Sequence, residues 1–151
     1  MKLSEIKAAC IKLMQTAYPA TEYRYYANTV NEKYTRPCFL TRLTVDPGEP
    51  ANKHTRHNTG MFEIEFIQDK LDEYEALEVM QTLRDLFGFA VKVGKRYVKV
   101  VESDFDYDGT EENVATITFM LDWFDNITRP EEEPPLMEDV KTKLRIVYEG
   151  G

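Results

Sequence analysis

The chain has 151 residues, of which 42% are hydrophobic and 30% are charged, a composition typical of one soluble globular domain rather than a fibrous or disordered chain. Its apolar runs are only a few residues long, which excludes a membrane-spanning helix, and its charged N-terminal residues predict no secretory signal. Two cysteines, Cys10 and Cys38, are too few for a disulfide framework or a four-thiolate zinc site. We expect both to be small buried apolar residues.

The net charge of −8 is unevenly distributed along the chain. Residues 102–139 contain 13 acidic residues and one basic residue, Arg129, for a net charge of −12, whereas the remaining residues contain 18 basic and 14 acidic ones, for a net charge of +4. This pattern disfavours nucleic-acid binding, because phosphate contacts need clustered lysine and arginine. The acidic stretch is either a solvated edge and tail or a surface that contacts another protein, including further copies of the chain.

The first predicted element is a helix over residues 4–17. Ser4 is a favourable N-cap, Glu5 lies in the first turn, where the helix dipole favours an anion, and Pro19 ends the element. Apolar residues at three- and four-residue spacing predict one buried stripe, consisting of Leu3, Ile6, Cys10, Leu13, Met14 and Ala17.

Three strands are predicted next, over residues 22–30, 37–45 and 54–68. The first is rich in tyrosine, and the other two alternate in hydrophobicity and are separated by a polar, proline-containing loop that reaches about Lys53. We expect strands 37–45 and 54–68 to form a long hairpin that projects beyond the core.

A second helix is predicted over residues 72–87. Asp69 or Asp72 caps it, and Gly88 supplies the left-handed residue after its last turn. The predicted buried seam consists of Leu77, Met80, Leu83 and Phe87.

Three further strands are predicted over residues 89–93, 96–102 and 113–125, with a hairpin turn at residues 108–109 inside an acidic connection. The order of elements indicates an α+β fold with two helices packed on one face of a largely antiparallel sheet, a long hairpin and a C-terminal arm. We expect one domain over residues 1–127. Residues 128–151 would be an acidic proline-rich linker followed by a strand or arm. A strand is expected because polar and apolar residues alternate again over residues 141–149. That strand could pair with its own sheet edge or with a neighbour's.

Two patterns were considered as metal sites. Asp104, Asp106 and Asp108 precede a glycine as in the opening of a calcium-binding EF-hand loop, but the later ligand positions disagree and the flanking residues read as strands. These aspartates are weak candidates for a divalent cation. The only histidines, His54 and His57, have an odd offset that would place their rings on opposite faces of a strand.

Catalytic signatures are missing from the sequence, so we expect a protein that is not an enzyme and has no cofactor. It has no Gly-x-Ser-x-Gly elbow and no glycine-rich phosphate loop. An alternative surface for single-stranded nucleic acid would combine aromatic and basic residues, namely Tyr23, Arg24, Tyr25 and Tyr26 with Lys92, Lys95, Arg96 and Lys99.

The succession of elements resembles the phage tail terminator proteins found in prophages of Gram-positive bacteria. The resemblance covers about residues 1–127 and rests on YP at 18–19, RPCF at 36–39, FEIEF at 62–66, EAL at 75–77, YVKV at 97–100 and TITF at 116–119.

The resemblance implies a structural virion protein of the tail or neck, assembled in the host cytoplasm. It would form a homo-oligomeric ring, commonly a hexamer, that binds the tail tube protein, stops tube polymerisation and meets the head–tail connector or a neck protein. DNA would pass through the lumen without specific binding. A closed ring needs two unlike, complementary patches on each subunit. The candidate interface residues are Arg56, His57, Lys95, Arg96, Asp106, Asp108, Glu131, Glu132, Leu144 and Ile146. The alternative is a small cytoplasmic binding module for a divalent cation or single-stranded nucleic acid.

Overall fold

The fold is known from a computed structural model, which describes residues 1–27, 35–46, 48–108 and 114–126. The predicted C-terminal arm lies outside these residues. The described part of the chain contains two helices and six strands. In chain order they are α1 (Leu3–Gln15), β1 (Arg24–Ala27), β2 (Cys38–Asp46), β3 (Thr55–Ile67), α2 (Glu73–Phe87), β4 (Ala90–Val93), β5 (Arg96–Asp108) and β6 (Val114–Asn126).

The six strands form one sheet in the order β1-β2-β3-β6-β5-β4. All neighbouring strands are antiparallel except β1 and β2, which are parallel. The central pair, β3 and β6, is hydrogen-bonded along its whole length, from Thr55 opposite Asn126 to Ile67 opposite Val114. The predicted β2–β3 hairpin is therefore a part of the sheet and does not project from it as a separate unit. The predicted α+β class is confirmed.

Both helices pack on one face of the sheet, here called the inner face. Alternate residues of the central strands point to this face and are buried. The Phe87 ring of α2 stacks on Phe119 of β6 with centroids 4.1 Å apart. The buried residues of the two central strands are Phe62, Ile64, Phe66, Ala115, Ile117, Phe119, Leu121 and Trp123. The two cysteines are buried as predicted.

The N-terminal end of α1 differs from the prediction. The helix begins at Leu3, so Ser4 is a helical residue and not the N-cap. The Glu5 carboxylate instead accepts the backbone N–H of Lys2 at 2.8 Å, which satisfies one of the donors that a helix start leaves open. Ile6, Cys10 and Met14 form the buried stripe.

The caps of α2 agree with the prediction, and one residue of its seam does not. Asp72 Oδ1 accepts the backbone N–H groups of two residues in the first turn, and Gly88 follows the helix with a φ of 53°. Met80, Leu83 and Phe87 are buried, but Leu77 is 51% exposed. The helix is rotated so that the smaller Ala76 and Val79 face the sheet, which leaves Leu77 at the rim of the helix–sheet contact.

Strand β5 is longer than predicted. It continues through the acidic residues to Asp108, and a β-bulge at Val101 interrupts its pairing with β6. Before the bulge Val98 and Val100 face the core, whereas after it Phe105 and Tyr107 do. The segment predicted as an acidic connection is a strand because these two aromatic residues alternate with carboxylates that face solvent.

The outer edge of β5 is only partly covered. β4 pairs with Arg96–Lys99, and the last bond on this side joins the Val100 N–H to the Phe89 carbonyl at 2.8 Å. From residue 101 to residue 108 no strand in the described part of the chain pairs with this edge.

Candidate assembly surfaces

The four basic or histidine residues predicted for the interface, Arg56, His57, Lys95 and Arg96, lie at one end of the sheet. This is the end at which β3 and β5 begin and β6 finishes. Lys95 is exposed in the turn between β4 and β5. The Arg56 guanidinium donates to the Gly48 carbonyl at 2.7 Å and so holds the connection between β2 and β3.

A partly buried hydrogen-bond network centred on Asp125 involves Arg96 at this end. Asp125 Oδ1 accepts from Arg96 Nη1 at 2.8 Å and from the amino group of Met1 at 3.1 Å. Its other oxygen accepts from Trp123 Nε1 at 2.9 Å and from Asn58 Nδ2 at 3.4 Å. Burial opposes ionisation of the carboxyl group, but these hydrogen bonds outweigh burial and lower the pKa of Asp125. Arg96 therefore contributes to the fold, and its charge is already paired within the subunit.

His57 is also engaged within the subunit. Its Nε2 lies 2.6 Å from Asp122 Oδ1, and its ring stacks on Phe124 with centroids 4.6 Å apart. His54 lies in the bend before β3, so the two histidines do not form a pair.

Asp104 and Asp106, the candidate metal ligands with described side chains, lie on the outer face of β5. They are opposite Thr118 and Thr116 of β6, in an extended strand and not in a ligand-binding loop. Among the residues that the structure describes, no three His, Cys, Asp or Glu side chains lie close enough together to hold a metal ion.

The two groups of the alternative nucleic-acid surface do not meet. Residues 23–26 lie in and beside β1 at one edge of the sheet, whereas the lysines lie in or beside β4 at the opposite edge. Tyr25 stacks on Phe39 and donates to the Tyr18 carbonyl at 2.6 Å, so its ring belongs to the core.

The outer face of the sheet around residues 97–101 of β5, with the neighbouring parts of β4 and β6, presents an apolar surface with two lysines, which we call the outer patch. The exposed fractions of its apolar side chains are 63% for Tyr97, 55% for Val101 and 49% for Phe124. Lys92 and Lys99 are exposed beside them. Large exposed apolar side chains that lie together are typical of protein contact surfaces.

The opposite side of β5 borders a second surface, which we call the edge groove. The residues that line it are Leu77, Met80, Gln81 and Arg84 of α2 and Phe105, Asp106 and Tyr107 of β5. The sequence did not predict this groove, because the strand was expected to end at residue 102. The alternation of two aromatic residues with aspartates at 104–108 was the signal that could have revealed it.

Gln68 fixes one end of the edge groove and was also missed. Its fully buried amide donates to the Asp72 carbonyl at 2.7 Å and to Glu75 Oε1 at 2.9 Å. Its amide oxygen accepts from the Asp72 N–H at 3.3 Å and from the Tyr107 hydroxyl at 2.9 Å. Burial raises the pKa of Tyr107, and the nearby carboxylates add to this effect. The signal in the sequence was a polar residue at the end of the apolar alternation of β3.

Neither cysteine has the environment of a reactive thiol. Burial raises the pKa of Cys10 to about 12, and it raises the pKa of Cys38 to about 11 against the opposing effect of Arg36.

Of the helices in the described residues, neither is long and apolar enough to cross a membrane.

The remaining interface candidates lie outside the described residues. These are the Asp108 side chain, Glu131, Glu132, Leu144 and Ile146. The predicted interface as a whole stays a prediction.

Comparison with known proteins identifies the family. No curated protein matches the chain. Among the solved structures that match, one is 15% identical in sequence, covers 87% of this chain and 99% of its own, and superposes with a TM-score of 0.49. The sequence model of the family described as phage tail terminator protein matches residues 5–135. The chain therefore belongs to the phage tail terminator family, whose members are structural components of phage tails.

Proposed function

We propose that the chain assembles into a ring, hexameric as the resemblance implies, that seats on the end of the tail tube, stops tube polymerisation and joins the tail to the head connector or a neck protein. Within this proposal, residues 1–127 are the ring-forming domain, and residues 128–151 are an acidic, proline-rich linker followed by a C-terminal strand or arm. The membership in the tail terminator family supports the tail role.

The observation that carries the ring proposal is the presence of two unlike exposed surfaces on one subunit. A closed ring is built from heterologous contacts, in which one patch of each subunit meets a different patch of the next. The outer patch is apolar and basic through Lys92 and Lys99. The edge groove is apolar and bordered by the exposed carboxylates of Asp104 and Asp106. These surfaces lie on different sides of β5 and differ in charge, so each subunit offers two unlike patches for head-to-tail contacts with its neighbours.

The net charge of −8 suits a ring through which DNA passes, because a negatively charged wall repels phosphate. Two basic interface candidates, Arg56 and Arg96, are engaged within the subunit, which further limits the positive charge available to a nucleic acid.

The test is native mass spectrometry and electron microscopy of the purified full chain, with and without the tail tube protein of the same phage. We expect closed rings, and we expect tubes assembled in their presence to be shorter and capped at one end. A chain that stays monomeric at micromolar concentration both with and without tube protein would contradict the proposal.

A matched pair of substitutions links the rings to the outer patch. Tyr97→Glu places a charge in the patch at a side chain that is 63% exposed, so folding should change by less than about 0.5 kcal/mol and ring formation should be lost. Leu3→Glu adds the same charge at a 48% exposed position of α1, outside both surfaces, and should leave the rings intact. If both variants form rings, or if neither does, the outer patch is not the contact between subunits of the ring.

A further inference from the structure

The edge groove lies beside an unpaired strand edge, and this combination is suited to binding an added strand. Residues 101–108 of β5 have no neighbouring strand on this side within the described ranges, although their other side pairs with β6. An unpaired edge offers a row of backbone donors and acceptors to an extended segment, which adds to the sheet by main-chain hydrogen bonds. The side chains next to the edge then determine which segment fits.

The two faces of this edge are chemically different. Glu102, Asp104 and Asp106 are exposed on the outer face of the sheet. Phe105 and Tyr107 face the helices and line the groove. Because paired residues of adjacent strands share a face, a strand that matches this edge must alternate basic residues with apolar ones.

Residues 141–149 of this chain, KTKLRIVYE, have this alternation. The odd positions carry three basic residues, Lys141, Lys143 and Arg145, before Val147 and Glu149, so the basic face is formed by the first part of the segment. The even positions carry Thr142 and then apolar side chains. The apolar residues at the even positions are Leu144, Ile146 and Tyr148. In one register the bases would face the carboxylates of β5 and the apolar side chains would enter the edge groove, whereas a shift by one residue would reverse both matches.

We propose that residues 141–149 of a neighbouring subunit add to the free edge of β5 and so link adjacent subunits of the ring, an inference that rests on the proposed function. The stretch between the last described residue, Asn126, and residue 141 has 14 residues, three of them proline. At about 3.1 Å per residue in extended form it reaches about 45 Å, which exceeds the diameter of roughly 36 Å expected for a domain of this size.

The charge of this stretch favours a neighbour's edge over the subunit's own edge. Asn126 lies at the opposite end of the sheet from Asp106, since β5 and β6 are antiparallel. To reach its own edge, the linker would have to turn back along the exposed carboxylates of β5. The linker itself contains five acidic residues, which these carboxylates repel, namely Glu131, Glu132, Glu133, Glu138 and Asp139.

The test is disulfide formation between two single-cysteine variants of the full chain, mixed and reassembled before oxidation. Paired side chains in adjacent strands have Cβ atoms close enough for a disulfide. We expect Arg145→Cys mixed with Glu102→Cys, Asp104→Cys or Asp106→Cys, whichever lies opposite it in the added strand, to give a disulfide-linked dimer at least tenfold more abundant than in the controls. The native Cys10 and Cys38 are buried and are retained in every variant.

Two controls match this design. Leu144→Cys lies in the same segment but on the opposite face, so it should not link to Asp104→Cys. Lys12→Cys lies on the exposed side of α1, outside both surfaces, so it should not link to Arg145→Cys.

Each outcome decides a separate question. Equal linkage in the controls, or a disulfide that forms only when Arg145→Cys and Asp104→Cys are on one chain, would overturn the exchange between subunits. Rings of the wild-type chain with no linkage in any mixture would also overturn it, and would leave the proposed function standing. If linked dimers form but the wild-type chain never forms rings, strand addition between subunits is supported and the proposed ring assembly is contradicted.

Discussion

Replacing Gln68 by leucine should reveal how strongly one buried amide joins α2 to β5. The substitution removes four hydrogen bonds, two to Asp72, one to Glu75 and one from Tyr107. Each is worth about 0.5–1.5 kcal/mol net, and leucine fills a similar volume, so no large cavity opens. Because Glu75 and Tyr107 are only half-buried and can regain water, we expect a loss of about 3 kcal/mol in the free energy of unfolding.

The assay is urea unfolding followed by the fluorescence of Trp123, the only tryptophan, which is buried and hydrogen-bonded to Asp125. With a slope of about 2 kcal/mol per molar urea, the midpoint should fall by about 1.5 M. Gln81→Leu makes the same change at an exposed position of α2 and should shift stability by less than about 0.5 kcal/mol. The protein is kept dilute, since ring formation would make the midpoint depend on concentration.

A double-mutant cycle with Tyr107→Phe isolates one of the four bonds. Tyr107→Phe alone should cost about 1 kcal/mol, and in the presence of Gln68→Leu it should cost almost nothing. Strictly additive effects, or a loss below about 1 kcal/mol for Gln68→Leu, would refute the reasoning that the amide is a principal link between the helix and the strand.

Three further changes test other parts of the fold. The pKa of Asp125 is lower in the folded chain than its ordinary value of 3.8, so its stabilisation is complete above that value and is lost as the pH falls through the folded pKa. Asp125→Asn should therefore lower Tm by calorimetry near neutral pH, and its difference from the wild type should narrow below about pH 4. A Cβ at Gly60 would lie 2.9 Å from the Thr44 carbonyl oxygen, so Gly60→Ala should cost about 1–3 kcal/mol in urea unfolding, and an unchanged midpoint would show that the strands can separate freely. Cys10 and Cys38 should react with a thiol reagent at least 100-fold more slowly in the native chain than in urea, and fast native labelling would contradict their burial.

Local signals in the sequence were sufficient to predict most elements. Asp72 and Gly88 placed both ends of α2, and the alternation around Phe119 placed β6. These features depend on residues within a few positions of one another, so they can be read without knowing what packs where. The order of the strands in the sheet could not be predicted from such local patterns. The pairing of β3 with β6 joins segments about 60 residues apart, and no local pattern specifies which of several apolar strands becomes the neighbour.

The errors at the candidate surfaces have the same origin. Leu77 fits the helical apolar pattern as well as Met80 does, and only the angle at which α2 lies on the sheet leaves it exposed. Residues 103–108 read as a polar connection because carboxylates dominate them, yet Phe105 and Tyr107 gain enough from packing on β6 and α2 to extend the strand. Both assembly surfaces depend on these tertiary placements, which explains why the sequence indicated a charged interface but not its shape.

The single extra residue at Val101 has a consequence for how the gene can vary. Removing it would restore an unbroken two-residue period along β5, and Phe105 and Tyr107 would then turn toward water while Asp104 and Asp106 turned toward the helices. Burial of two ionised side chains without partners is far more costly than loss of a bulge. Deletion of one residue between the bulge and Asp108 should therefore be tolerated less well than deletion of two, since only the even change keeps Phe105 and Tyr107 on the side of the helices.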